Sequence, residues 1–194
     1  WIDLGEGNLF MTIVLKPAEK FDETFANLTQ YLSVSLCKVL ESYGLKPEIK
    51  WPNDVLINGK KIAGILSEAS VKGSVFKGLA LGIGVNLNAD EKDFSKIDKL
   101  VTSLNLELGK TIDMSEFKSA LCKEFFSHYD EFLIYGFEFI KNDYLARANF
   151  LDKELCVALI NETKKGLVKG VTDKGELILA SGENEFILNI GDIL

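Results

Sequence analysis

The chain has 194 residues, of which 47% are hydrophobic and 26% charged, and its formal net charge is −7. This composition predicts a globular protein with one well-buried core, or a main domain with a small appendage. The negative charge disfavours nucleic acid and anionic membranes as partners, because the protein's field repels both. No apolar run approaches the roughly 20 residues of a membrane helix, so we expect no membrane span and a cytoplasmic location.

The cysteine pattern disfavours both a disulfide framework and a zinc site. Cys37, Cys122 and Cys156 are far apart, each lies among apolar neighbours, and the chain has a single histidine. No CxxC spacing occurs. We therefore expect three buried free thiols.

The first half of the chain predicts strands around one long helix. Residues 9–15 are strand formers that Pro17 ends. From residue 21 apolar positions recur at intervals of three and four, which predicts one amphipathic helix to about Gly44. Short strands are predicted at 48–51 and 55–57.

An antiparallel arrangement is expected after these strands. The Asn-Gly pair at 58–59 is a strong hairpin signal, because both residues tolerate positive φ. The returning strand begins near Lys61 and runs towards residue 71, and a further buried strand covers residues 75–85. Residues 90–110 are polar and irregular, with a short helix beginning at 101–104.

The second half predicts helices followed by a small β-domain. Residues 114–148 are mostly helical, with Gly136 dividing them into two helices and Asp113 available as an N-terminal cap. Four short strands at 154–160, 165–171, 176–179 and 185–188 predict an SH3-like β-barrel. We expect a main domain over 1–151 and a second domain over 152–194.

The segment KWPNDVLINGKKIAGIL at residues 50–66 carries the densest polar chemistry in the chain. Asp54 precedes one strand and Lys61 begins the next, so a carboxylate and an ammonium are expected at neighbouring strand ends. Such a pair suits a phosphate group and its Mg²⁺, since the carboxylate serves the cation and the lysine an oxyanion. The spacing alone is also compatible with a solvated hairpin that carries ordinary surface charges.

A second cluster, GIGVN, lies at residues 82–86. Gly82 and Gly84 alternate within a predicted strand, where glycine usually marks the close approach of a ligand or of another backbone. The cluster by itself is a weak signal. Glycines that merely relieve crowding against a helix would produce the same pattern.

These motifs together resemble the catalytic core of the biotin protein ligases. The family pattern is K-W-P-N-D, then K-x-x-G-I-L-x-E, then G-x-G-x-N, and this chain has the three elements in order at 50–54, 61–68 and 82–86. The resemblance extends to residues 170–177 and covers nearly the whole chain. It implies an α+β fold, in which helices pack on a mixed or antiparallel, class II synthetase-like sheet, followed by the SH3-like barrel.

The resemblance also implies an activity. Biotin protein ligases join biotin to ATP in the presence of Mg²⁺, which forms biotinyl-5'-AMP and pyrophosphate. They then transfer the biotinyl group to one lysine of a biotin carboxyl carrier domain, in acetyl-CoA carboxylase or a related carboxylase. The family often pairs through the edge of its central sheet, so a homodimer is one arrangement that the resemblance implies.

The resemblance assigns roles to individual residues. Lys61 would be the catalytic cation that contacts the biotin carboxylate and the α-phosphate. Asp54 and Asn86 would help to hold Mg²⁺, and Lys50, Asn53, Asp54 and Asn86 would form the ATP site. The biotin site would comprise Trp1, Lys61, Gly64, Ile65, Gly82 and Gly84.

Trp1 matches the tryptophan that closes the family's G-R-G-R-x-G-R-x-W loop. The arginine-rich part of that loop is absent from the 194 residues, so we expect that further residues precede Trp1. Two other interpretations remain open. One is a lipoate protein ligase or octanoyltransferase of the same fold, although those families lack the K-W-P-N-D string. The other is a non-catalytic biotin sensor, which would not need both Lys61 and Asp54.

Overall fold

The computed structural model describes residues 7–16, 23–95, 97 and 100–194, which form two antiparallel sheets and a layer of helices. The first sheet has five strands in the order β1-β5-β4-β3-β2. Their bounds are β1 Leu9–Leu15, β2 Pro47–Lys50, β3 Asp54–Ile57, β4 Lys60–Lys72 and β5 Val75–Val85. The predicted strands and their antiparallel pairing are therefore confirmed.

The β3–β4 hairpin turns at the predicted Asn-Gly pair. Asn58 and Gly59 have φ values of 51° and 74°, which is the left-handed region that a tight two-residue turn requires. The short turn joins adjacent strands, so it brings the end of β3 beside the start of β4.

The helix predicted from residue 21 is in fact divided. A short α1 (Glu23–Ala26) ends before Asn27, and α2 (Leu28–Ser42) follows. Eleven residues of α2 are buried, because this helix is packed on both of its sides, against the sheet and against the later helices. At the division, the Asn27 side-chain amide donates both to the Gln30 side chain of α2 and to the Lys174 carbonyl of a distant turn.

The polar stretch at 90–110 contains more structure than its composition predicts. A 3₁₀ turn that was not predicted covers Glu91–Phe94, and α3 covers Leu104–Leu108, which confirms the short helix expected to begin at 101–104. Between them Val101 forms an isolated parallel bridge to Lys61. This stretch therefore packs directly against the start of β4.

Three helices, rather than the two predicted, fill residues 114–145. They are α4 (Met114–Ser127), α5 (Tyr129–Tyr135) and α6 (Phe137–Leu145). Gly136 separates α5 from α6 as expected, and His128 makes an additional break. The Asp113 carboxylate accepts hydrogen bonds from the N–H groups of residues 115 and 116, so the predicted cap is confirmed.

The C-terminal residues form a second five-stranded antiparallel sheet, in the order β10-β6-β7-β8-β9. The strands are β6 Glu154–Ala158, β7 Thr163–Val171, β8 Leu177–Ser181, β9 Asn184–Leu188 and β10 Asp192–Ile193. The four predicted strands are present, and β10 is an addition.

The three cysteines are free thiols, as predicted, but only Cys37 is fully buried. Burial raises the pKa of the Cys37 thiol far above its usual value. Cys122 and Cys156 are half-buried, so the expectation of burial was wrong for these two. Within the described ranges, no helix combines the length and apolar character that crossing a membrane requires.

The centre of α2 is expected to dominate the stability of the fold. Leu32 has no exposed surface, so Leu32→Ala should lower the free energy of unfolding by about 2–5 kcal/mol through lost contacts and a cavity. Urea denaturation measures this change. Ile134→Ala is the control, since Ile134 is largely exposed, and an equal loss in both variants would contradict the packing described.

Candidate functional site

The strand register places the motif residues on one face of the first sheet. Asp54 pairs with Gly64, and Gly64 pairs with Gly84. Directly opposed residues in an antiparallel sheet share a face, and their chain neighbours point to the other side. Ile65 and Ile83 accordingly lie in the core. We call the face that carries Asp54, Gly64 and Gly84 the outer face.

An ion pair joins the two charged residues of the hairpin. The Lys61 ammonium lies 2.6 Å from an Asp54 carboxylate oxygen. The Lys61 side chain is 35% exposed and the Asp54 side chain is 19% exposed, so the pair is partly desolvated but still reachable from solvent. The neighbouring strand ends therefore meet as the spacing predicted.

The ion pair borders a cleft of about 720 Å³. The lining comes from both sheets and from the start of α2, and it includes Asn27, Gln30, Lys61 and residues 51–54, 174–176 and 189–192. The lining is mainly polar in character. A charged or highly polar ligand is the kind that such walls suit.

A smaller cavity of about 300 Å³ lies on the outer face. Its walls come from β1, β4 and β5, and they include Phe10, Leu66, Gly82 and Gly84. A Cβ atom built on Gly82 would meet nothing closer than the Leu66 carbonyl oxygen at 3.6 Å, so this glycine leaves room that a side chain would occupy. Leu66 lines both the smaller cavity and the cleft, which makes the two spaces neighbours.

Thr102 links the predicted site residues Lys61 and Asn86 through its backbone. Its N–H donates to the Lys61 carbonyl at 2.9 Å, and its carbonyl accepts from the Asn86 side-chain amide at 2.9 Å. This contact orients the Asn86 side chain while leaving its oxygen as an acceptor. Asn86 is not among the residues that line either space.

The other residues predicted for the site do not all lie beside the ion pair. Asn53 lines the cleft, and its side-chain amide donates to the Ile65 carbonyl. Its own carbonyl accepts from the Ile65 N–H, which continues the β3–β4 pairing. Lys50 lies 3.6 Å from Asp192 of the second sheet. The Ile65 side chain points into the core, so only its backbone could meet a ligand on the outer face. Trp1 is outside the described residues.

Segment 51–53 is fixed in place by buried aromatic residues. Trp51 is 1% exposed and donates from its indole N–H to the Gly175 carbonyl at 3.3 Å. The Tyr144 hydroxyl donates to the Pro52 carbonyl at 3.3 Å, and burial raises the pKa of that phenol well above its ordinary value. The phenol therefore remains a neutral donor beneath the cleft.

Of the residues that line the cleft, only Asn53, Asp54 and Lys61 were predicted from the sequence. Asn27, Gln30 and Gly175 are among those that were not. Asn27 and Gln30 belong to what is otherwise an apolar helix pattern, and Gly175 belongs to a turn 145 residues beyond Gln30. The available signals were two amides within a core-facing helix and the Asp-Lys-Gly turn. Neither signal indicates a partner, because the contact between them is made only by the tertiary fold.

Comparisons with known proteins agree with the motifs. The model of the lipoyl protein ligase A/B catalytic domain matches residues 2–126. The chain is 32% identical over 181 residues to the bifunctional ligase/repressor BirA of Bacillus subtilis, covering 92% of this chain and 55% of that protein. It is 35% identical over 189 residues to the biotin--[acetyl-CoA-carboxylase] ligase of Paracoccus denitrificans, covering 92% and 76%.

Solved structures with the same fold include the apo biotin protein ligase of Aquifex aeolicus. That structure has a TM-score of 0.85 at 27% identity, over 97% of this chain and 82% of that one. A mutant of the same protein in complex with biotin has a TM-score of 0.84 at 26% identity, over 97% and 78%. The chain spans about half the length of the BirA relatives that it matches.

The ion pair is expected to contribute little to stability. Because both side chains remain partly solvated, Asp54→Asn should change the free energy of unfolding by less than about 1 kcal/mol. Urea denaturation of the variant beside the parent chain tests this. A loss several times larger would show that the pair holds the fold together rather than serving a ligand.

Proposed function

Because this chain belongs to the biotin protein ligase family, we propose that it activates biotin with ATP and transfers the biotinyl group to a lysine of a carrier protein. One observation carries the proposal. The Lys61–Asp54 pair lines a polar cleft, and this cleft shares Leu66 with a smaller cavity that is lined by glycines. Two ligands that react with each other need such neighbouring spaces.

Biotin is assigned to the smaller cavity. Gly82 and Gly84 let its fused rings approach the strand backbone, and Phe10 and Leu66 supply apolar walls. This position directs the biotin carboxylate towards Lys61. The mutant Aquifex aeolicus enzyme was solved in complex with biotin, which supports the ligand but not the individual contacts.

ATP is assigned to the cleft, whose polar walls suit a nucleotide and its phosphates. In the first step a biotin carboxylate oxygen attacks the α-phosphorus, and the bond to the departing pyrophosphate breaks. In the second step the amine of the carrier lysine attacks the acyl carbon, AMP leaves and the amine loses a proton. Lys61 stabilises the negative charge that develops in both steps, because its ammonium is already fixed beside Asp54.

The donor set suits a magnesium ion carried by ATP. No cluster of three or more His, Cys, Asp and Glu residues that could hold a metal occurs in the described ranges. Mg²⁺ commonly binds through one or two carboxylates together with substrate phosphates. Asp54, which lines the cleft, would supply a carboxylate. Asn86 lies outside the cleft lining and would offer its amide oxygen from beside Lys61, to which Thr102 joins it. When bound, the ion neutralises phosphate charge. Lys50 and Asn53 complete the proposed nucleotide site.

We further propose two domains, a catalytic domain over 1–151 and an SH3-like domain over 152–194. The support is that β6–β10 form a sheet of their own.

The proposed acceptor is a biotin carboxyl carrier domain of acetyl-CoA carboxylase or a related enzyme, as the name of the Paracoccus denitrificans relative suggests. A homodimer through the sheet edge and a cytoplasmic location, consistent with three free thiols, also remain proposals.

The first functional prediction concerns Lys61. Lys61→Met should lower biotin-dependent ATP–pyrophosphate exchange by at least about 100-fold, because the charge of the transition state loses its fixed cation. Exchange is measured on the full chain with any natural residues that precede Trp1. Lys60→Met is the matched control, since Lys60 is exposed on the same hairpin.

Three outcomes would count against the proposal. Unchanged exchange in Lys61→Met would refute the role of Lys61. Biotin binding without any exchange in the parent chain would favour a sensor. Exchange with lipoate in place of biotin would favour the lipoyl-type activity of the wider family.

A second prediction tests the assignment of the smaller cavity. Gly82→Val should raise the KM for biotin about tenfold or more, because the added methyl groups occupy space that the rings need. The KM for ATP should stay within about twofold, since no wall of the cleft includes Gly82. Val14→Ile serves as the control, because Val14 lies exposed on the same face outside the cavity. Equal changes for both substrates would contradict the assignment.

A further inference from the structure

The second sheet is attached to the first domain by a turn over residues 172–176. The Asn27 side-chain amide donates to the Lys174 carbonyl at 2.8 Å, and the Gln30 amide donates to the Gly175 carbonyl at 2.9 Å. The Trp51 indole donates to the same Gly175 carbonyl. Three side-chain donors therefore hold two consecutive carbonyl groups of one turn.

This contact is buried and closely fitted. Asn27 and Gln30 are 6% and 4% exposed. Gly175 has a φ of +77°, and a Cβ atom built on it would lie 2.6 Å from the Gln30 oxygen and 2.7 Å from the Asn27 nitrogen. Only glycine satisfies both the backbone angle and the space. Loss of one partner would leave a buried polar group unsatisfied, which is costly.

The same residues form part of the cleft wall. Asn27, Gln30, Trp51 and Gly175 line the cleft, and Asp54 and Lys61 lie along it as well. The turn thus fixes the position of the second sheet relative to the charged pair. The smaller cavity does not include the turn or the second sheet, because all of its lining residues come from β1, β4 and β5.

We infer that Asn27, Gln30 and Gly175 form a clamp that positions the second sheet as a wall of the nucleotide site. The three are positioning residues, since they act through the placement of the turn. The inference rests on the proposed assignment of ATP to the cleft. It requires that weakening the clamp lowers the affinity for ATP and leaves the affinity for biotin unchanged.

The test is calorimetric titration of Gln30→Met, which keeps the side-chain length but removes the amide. A non-hydrolysable ATP analogue is titrated with and without biotin, and biotin is titrated alone. We expect the Kd of the ATP analogue to rise about tenfold, which corresponds to a wall that occupies its binding-competent position only about a tenth of the time. The Kd of biotin should stay within about twofold.

Ser35→Ala is the matched control, because it also removes a buried side-chain hydrogen bond from α2, here to the Tyr31 carbonyl, without touching the turn. It should leave both affinities unchanged. If Gln30→Met fails to fold, as judged by circular dichroism, Asn27→Ala replaces it with the same expectation.

The result that overturns the clamp is equal weakening of both ligands, or no change in either. A parent chain that does not bind the ATP analogue overturns it as well. These results are distinct from failure of the ligase proposal. The binding data decide the clamp, whereas absence of biotin-dependent pyrophosphate exchange in a chain that binds ATP would reject only the ligase activity.

Discussion

The site depends on the antiparallel register of β4, which pairs with β3 on one side and β5 on the other. That register puts Asp54, Gly64 and Gly84 in one row on the outer face, and the hairpin turn brings Lys61 back to Asp54. Because side chains alternate along a strand, a slip of one residue would bury the charges and expose Ile65. The buried residues of the inner face therefore maintain the geometry of the outer face.

The cleft has walls from both sheets. Alone, the first sheet carries the ion pair and the small cavity, but one wall of the cleft consists of residues 174–176 and 189–192. The polar contacts between the two sides of the cleft include the buried side-chain donors to the 172–176 turn. They also include the ion pairs of Lys50 with Asp192 and of Lys141 with Asp173. The buried amide contacts are the stronger constraint, since Lys50 and Asp192 are both partly exposed.

Local patterns predicted most elements and the central charged pair. Strand periodicity and the Asn-Gly turn were sufficient to bring Asp54 beside Lys61, because the two are only seven residues apart. The breaks at Asn27 and His128 were not predictable, since apolar periodicity continues through both. Gln30 and Gly175 could not be associated because only the tertiary fold brings them together. The register also showed that the Ile65 side chain faces the core, which the motif did not reveal.

A structure of the chain with a stable analogue of biotinyl-5'-AMP tests the placement of the two ligands most directly. We expect the acyl-phosphate linkage within hydrogen-bonding distance of the Lys61 ammonium, the biotin rings over Gly82 and Gly84, and the nucleotide in the cleft beside Gly175. An analogue bound away from Lys61, or with biotin in the cleft and the nucleotide on the outer face, would contradict this placement.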